Sequence, residues 1–164
     1  MTASFFPQPA PGFDDPLALL AACHGKILRY SGWLAALARN DVEPLTVAAD
    51  IQRYFGTAGR DHHQDEERDL FPMLRRYGFE WPHHQLTMEH ERLDALWALC
   101  APSLPNLSAT GRLAALEFAQ LQATHVQFEN AEVLPAAARL LQPADIALLG
   151  AQMALRRRVR VPGS

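Results

Sequence analysis

The chemistry-bearing residues of this chain are its histidines, 7 in 164 residues. Two of them head copies of one pattern. The first copy reads His62-His63-Gln64-Asp65-Glu66, then Leu70-Phe71-Pro72. The second reads His125-Val126-Gln127-Phe128-Glu129, then Val133-Leu134-Pro135. In both, a glutamate stands four residues after the histidine and a proline ten after it. Residues four apart on a helix share a face, with Cβ atoms about 5–6 Å apart. An imidazole and a carboxylate so placed can reach one metal ion, and both suit divalent first-row metals. Each carboxylate has two oxygens and can join two ions, so facing copies point to a pair of metals rather than one.

His24 and His90 complete the set. Leu20, His24 and Ile27 fall on one helical face, as do Leu86, His90, Leu93 and Trp97. The candidate ligands are therefore His24, His62, Glu66, His90, His125 and Glu129. The doublet allows a second register, His63 with Glu67. The repeat favours His62 with Glu66, because Val126 and Asn130 hold the other positions in the second copy. His63 remains a supplementary ligand candidate at the edge of the site. Six buried imidazoles and carboxylates without a cation would cost several kcal/mol.

The elements that must position these residues are helical. The spacing predicts a first helix from Asp14 or Asp15, as cap, to about Arg39, with Leu17, Leu20, Ile27, Leu28, Leu34 and Leu37 on its apolar face. Asn40-Asp41 reads as a turn. A second helix is expected over 43–77, weakened at Gly56 and Gly59, kinked by Pro72 and stopped by Gly78. A third opens at Trp81-Pro82 and ends near Cys100. A fourth runs over 108–141, with Leu113, Leu116, Leu121 and Val126 in its stripe. Pro143 breaks it, and a short helix follows over 144–156. The expectation is an all-α, antiparallel up-down four-helix bundle with a short extra C-terminal helix. It divides as an extended arm at 1–13, the bundle at 14–142, and a helix and basic tail at 143–164.

Composition excludes other classes. The formal net charge is −3, against the basic face of a nucleic-acid binder. No apolar run approaches the roughly 20 residues of a membrane span. Met1-Thr2-Ala3-Ser4-Phe5-Phe6-Pro7 lacks the basic and long apolar parts of a secretory leader, and a cytoplasmic location is expected. Cys23 and Cys100 form no C-x-x-C and read as buried small residues. Arg156-Arg157-Arg158 with Arg160 reads as a solvated helix end. Glu67 reads as part of a solvated face and Tyr54 as core, in preference to a role for either in supporting the centre.

Together, His24, the run from His62 to Glu67 into Leu70-Phe71-Pro72, Glu89-His90, and His125 with Glu129 resemble the hemerythrin and HHE cation-binding family over roughly 14–142. The resemblance implies a non-haem, oxygen-bridged di-iron site. His24 and His62 would bind one iron, His90 and His125 the other, with Glu66 and Glu129 bridging. The family's oxygen carriers have a further histidine one turn before the counterpart of His90. Leu86 stands there, and His83 is seven residues from His90, roughly 10 Å along the helix. This argues against reversible oxygen carriage and leaves iron binding intact. A ferritin-type bundle would show Glu-x-x-His on two helices, and Glu80-Trp81-Pro82-His83 is a single, proline-broken match. The expected function is binding or sensing of oxygen, nitric oxide, peroxide or iron. Two alternatives stay open: a peroxidase- or oxidase-type activity at the same centre, and a metal-stabilised interaction bundle, in which zinc would also suit the donors. A homodimer or protein partner is compatible with each.

Overall fold

Capping and proline placement divide the chain into its elements. The computed structural model describes residues 11–42 and 44–159. The expected arm over residues 1–10, the start of the second helix at Glu43, and Arg160 lie outside them. Helix α1 spans Pro16–Arg39. The Asp15 carboxylate accepts from the Ala18 N–H at 3.1 Å, satisfying a donor the helix start leaves free. Asn40 ends α1 in the left-handed conformation, φ 61°.

The expected second helix is segmented. Helix α2 (Pro44–Gly56) breaks at Thr57, and α3 (Ala58–Asp65) follows. A π turn over Glu66–Leu70 then leads into α4 (Phe71–Arg76). The expected kink at Pro72 is thus a wide turn placed just before it. In that turn the Phe71 N–H donates to the Glu66 carbonyl, five residues back. Gly78, φ 81°, stops the segment. Helix α5 spans His83–Cys100. Helix α6 (Ala109–Phe128) starts on a Ser108 Oγ cap to the Gly111 N–H, 3.0 Å. A second π turn, Glu129–Val133, joins it to α7 (Leu134–Leu140). There the Leu134 N–H donates to the Glu129 carbonyl. The repeat read in the sequence is therefore a repeat of backbone shape. Each π turn begins at the repeat's glutamate and ends two residues before its proline. Helix α8 spans Pro143–Arg156.

Among the described residues there is no strand, and the helices pack as a bundle. Helix α1 lies against α2 and α6, and α5 against α6. His24 meets Asn130 while Ala38 and Asn40 meet Arg112, so α1 and α6 run in opposite directions. No described helix is long and apolar enough to cross a membrane.

The buried apolar residues form two clusters. One contains Ile27, Leu34, Ile51, Phe55, Leu93 and Phe118. The other contains Leu20, Leu70, Phe71, Leu86, Val133, Leu149 and Met153. Leu20 and Ile27, which flank His24, fall in different clusters, and so do Leu86 and Leu93 about His90. The histidine layer is sealed between two apolar layers. Leu28 and Leu113, expected on apolar faces, are 41% and 71% exposed. Each is one residue past or short of its helix's buried stripe, a 100° error of rotation.

Helix α8 is part of the core, through Leu149 and Met153. A Cβ at Gly150 would collide with the Phe13 carbonyl oxygen, so glycine permits this close approach. The arginines at the end of α8 correct the expectation of a solvated basic run. Arg157 binds Asp65 in two-pronged fashion, 3.0 Å and 2.6 Å. Arg156 also binds Asp65, and reaches Asp69 at 2.6 Å. Asp65 is fully buried beneath them.

Candidate metal centre

The six residues expected from the sequence come together from α1, α3, α5, α6 and the two π turns. All are buried, with side chains 0–2% exposed. Two groups of ligand atoms lie close enough to hold an ion. One is His24, His62, Glu66 and Glu129, and the other is His90, His125, Glu66 and Glu129. Within each group the atoms lie within 4.8 Å of one another. Both carboxylates belong to both groups.

His62 Nε2 lies 3.2 Å from Glu66 Oε1, and His125 Nε2 lies 3.1 Å from Glu129 Oε1, the two contacts internal to the repeat. Across the bundle, His24 Nε2 is 3.2 Å from Glu129 and His90 Nε2 is 3.4 Å from Glu66. His24 Nε2, His62 Nε2, Glu66 Oε2 and both Glu129 oxygens are buried without a hydrogen-bond partner. These atoms converge on shared space rather than on each other. Stranding such groups costs about 1–3 kcal/mol each, more when charged, and a bound cation removes that cost.

The outer nitrogens set the tautomers. A carboxylate only accepts, so His90 Nδ1–H donates to Glu67 Oε1, 2.6 Å, and His125 Nδ1–H donates to Glu89 Oε2, 2.7 Å. His24 Nδ1–H donates to Asn130 Oδ1, 2.7 Å. In the neutral rings each Nε2 then carries a lone pair facing inward, as metal-binding histidines require. His90 Nε2 and His125 Nε2 are 3.0 Å apart. Two lone pairs at that distance repel unless a proton or cation stands with them.

The carboxylates govern the charge. Burial alone would raise the Glu66 carboxyl. The His62 charge and the close ring nitrogens of His24, His62 and His90 outweigh it and hold it well below the ordinary value. Burial and Glu66 raise Glu129, yet the close ring nitrogens of His125 and His24 leave it lowered. Burial lowers His24 and His90, but Glu129 and Glu66 for the first, and Glu66 and Glu67 for the second, pull each up to about 9. The cavity therefore holds two carboxylates that attract positive charge, which protons or metal ions can supply.

The supporting residues follow the repeat. Glu67 follows Glu66 and braces His90; Asn130 follows Glu129 and braces His24. Glu89 precedes His90 and braces His125. Cys23 precedes His24, and its thiol lies beside His62. For Glu67 this reverses the preference for a solvated face over a supporting role, for its half-exposed side chain is anchored on His90. Sequence reasoning missed Asn130 and Glu89 as braces. For Asn130 the signal was its position in the second copy, which matches Glu67 in the first; Glu89 lies in neither copy and had only its adjacency to His90. Cys100 is buried as expected, whereas Cys23 is half-buried. Tyr54 is core, stacked on Tyr30 at 4.3 Å.

His63 belongs to neither group. Its ring stacks on His90, with centroids 4.0 Å apart and planes 11° from parallel. Burial, then the charges of His90 and His62, push it well below the ordinary imidazole value, which keeps it neutral. His83 is also outside both groups, stacked on Phe71 at 4.7 Å. Leu86 is buried apolar core.

A buried cluster of imidazoles and shared carboxylates in a helical bundle defines a cation-binding helical protein. The hemerythrin HHE cation binding domain matches residues 15–137, and the chain belongs to that family. An uncharacterized protein of Haemophilus influenzae (strain ATCC 51907 / DSM 11121 / KW20 / Rd) is 30% identical over 120 residues. The likeness covers 65% of this chain and 66% of that protein, just under two thirds of its length. Helix α8 lies beyond the family match.

Proposed function

We propose that the chain is a non-haem di-iron protein that binds or senses a small oxygen- or nitrogen-containing ligand. One iron would take His24 and His62, the other His90 and His125, with Glu66, Glu129 and an oxo or hydroxo group bridging. The observation that carries this reading is the membership of both carboxylates in both groups of ligand atoms. The six residues fall into two groups of four rather than one of six, which favours two ions over one. When bound, the pair would supply reversible one-electron chemistry and coordination positions that protein side chains leave free.

The chain's own residues supply the rest. Glu67, Glu89 and Asn130 orient three imidazoles, and the two apolar clusters exclude bulk water. Residues 14–142 would form the metal-binding unit, with helix α8 bracing it. Free thiols and the absence of a membrane-crossing helix among the described residues agree with a cytoplasmic location.

Metal content and the optical spectrum of protein purified in air test the proposal. About two irons per chain, with near-ultraviolet bands of a bridged ferric pair, are expected. Stoichiometric zinc, or one ion per chain, would refute the di-iron reading.

A further inference from the structure

Beside the metal centre lies a second feature that neither the ligand set nor the core explains. Between α2, α3, α5 and α6 is a cavity of about 20 Å³. A water needs about 10–15 Å³ on this measure, so the cavity has room for one to two heavy atoms. Phe55, Leu93, Trp97 and Phe118 form its apolar walls, and exposed Arg60 and Asp94 stand at its mouth. Two polar groups meet it, His63 and Gln122. Gln122 is 1% exposed and its Oε1 has no hydrogen-bond partner. A stranded buried amide oxygen weakens a fold, and a core selected for packing alone would place an apolar residue there. His63 faces the centre, stacked on His90 at 4.0 Å, with its ring 6.3 Å from that of His125.

The walls disfavour an ion, which would lose its hydration among aromatic rings. The volume restricts the guest to about two heavy atoms. Gln122 Oε1 requires a guest that donates a hydrogen bond, which neither molecular oxygen nor nitric oxide does. We propose that this pocket is the access and docking site for a small uncharged O–H compound of the class of hydrogen peroxide, held by Gln122 and His63 against the His90 side of the centre. The proposal rests on the metal-centre reading and selects among its ligands. It also gives His63 a position outside the coordination sphere, where it contacts the ligand rather than a metal.

The test uses the full chain loaded with ferric iron. Hydrogen peroxide and azide, an anion with no hydrogen to donate, are titrated optically against wild type, Gln122→Leu and His63→Phe. His63→Phe keeps a ring to stack on His90. Iron content is expected to be unchanged in both variants. The apparent Kd for peroxide should rise about tenfold in Gln122→Leu, while that for azide stays within twofold. The metal-free Gln122→Leu protein should melt no lower than wild type, because its stranded amide is gone; a purely structural glutamine would give a lower Tm. Unchanged peroxide affinity in both variants would overturn the proposal and leave the cavity a site for water only. Equal weakening of peroxide and azide would also overturn it, by tying Gln122 to the integrity of the centre. A wild type that binds no iron would defeat the metal-centre reading itself, and this proposal with it.

Discussion

Removing both arginines from the end of α8 should destabilise the protein by more than the two single losses combined. Asp65 is fully buried, one residue before Glu66, and two guanidinium groups hold it. The arginine side chains are themselves mostly buried, 13% exposed for Arg156 and 20% for Arg157. Hydrogen bonds to charged groups contribute about 1.5–3 kcal/mol net. Arg157→Ala leaves Asp65 on Arg156, and Arg156→Ala leaves it on Arg157, so each single change should cost about 2 kcal/mol. The double change strands a buried carboxylate, and breaking such a pair costs about 3–5 kcal/mol beyond ordinary surface losses. A total above about 5 kcal/mol is expected. For a chain of this size about 2–4 °C of Tm accompanies each kcal/mol, which gives about 4–8 °C for a single change. The assay is urea unfolding of metal-free protein, so that ligand binding does not add to the stability. A cycle in the Asp65→Asn background isolates the coupling. If the double variant loses less than about 2 kcal/mol, or loses as much in the Asp65→Asn background, the arginines are ordinary surface charges and the reasoning fails.

Four further outcomes are expected. His62→Ala should abolish tight metal binding while His63→Phe retains it, as read by metal content after dialysis; equal loss from both would contradict the assignment. Glu67→Ala, Glu89→Ala and Asn130→Ala should each weaken metal affinity about 10–100-fold by freeing an imidazole, measured by competition with a chelator. Cys23→Ala should weaken it less than Glu89→Ala, since a thiol is a weaker acceptor than a carboxylate. Below about pH 4 the docking of α8 should loosen. Hydrogen bonds from the Tyr77 hydroxyl and the Gln142 N–H, with Arg76 nearby, hold the Asp145 carboxyl below its ordinary value. A lowered folded-state pKa contributes stability that is complete above the unfolded value of about 3.9 and disappears as pH falls through the folded one. Asp145→Asn should therefore flatten the acid limb of the melting curve, and an unchanged limb would count against it.

Much of the site is legible in the sequence because helical periodicity is local. His62 with Glu66 and His125 with Glu129 share faces by spacing alone, and His24 and His90 sit among leucines that must face a core. The prolines at 72 and 135 also declare themselves, since each lacks the N–H that the preceding turn needs. What the spacing leaves open is how the chain relieves them. The structure does so with matched π turns beginning at Glu66 and Glu129. The remaining features depend on contacts between residues far apart in the chain. Glu67 on His90, Asn130 on His24 and Glu89 on His125 span 23, 106 and 36 residues. The arginine clamp on Asp65 spans 91 and 92. His63, one residue from a candidate ligand and with the same donor atoms, faces a cavity beside the candidate centre because a helix turns about 100° per residue. Side-chain spacing along one helix is a property of the sequence, whereas the partner of an outward-turned imidazole nitrogen, or of a buried carboxylate, depends on which helix packing brings opposite it.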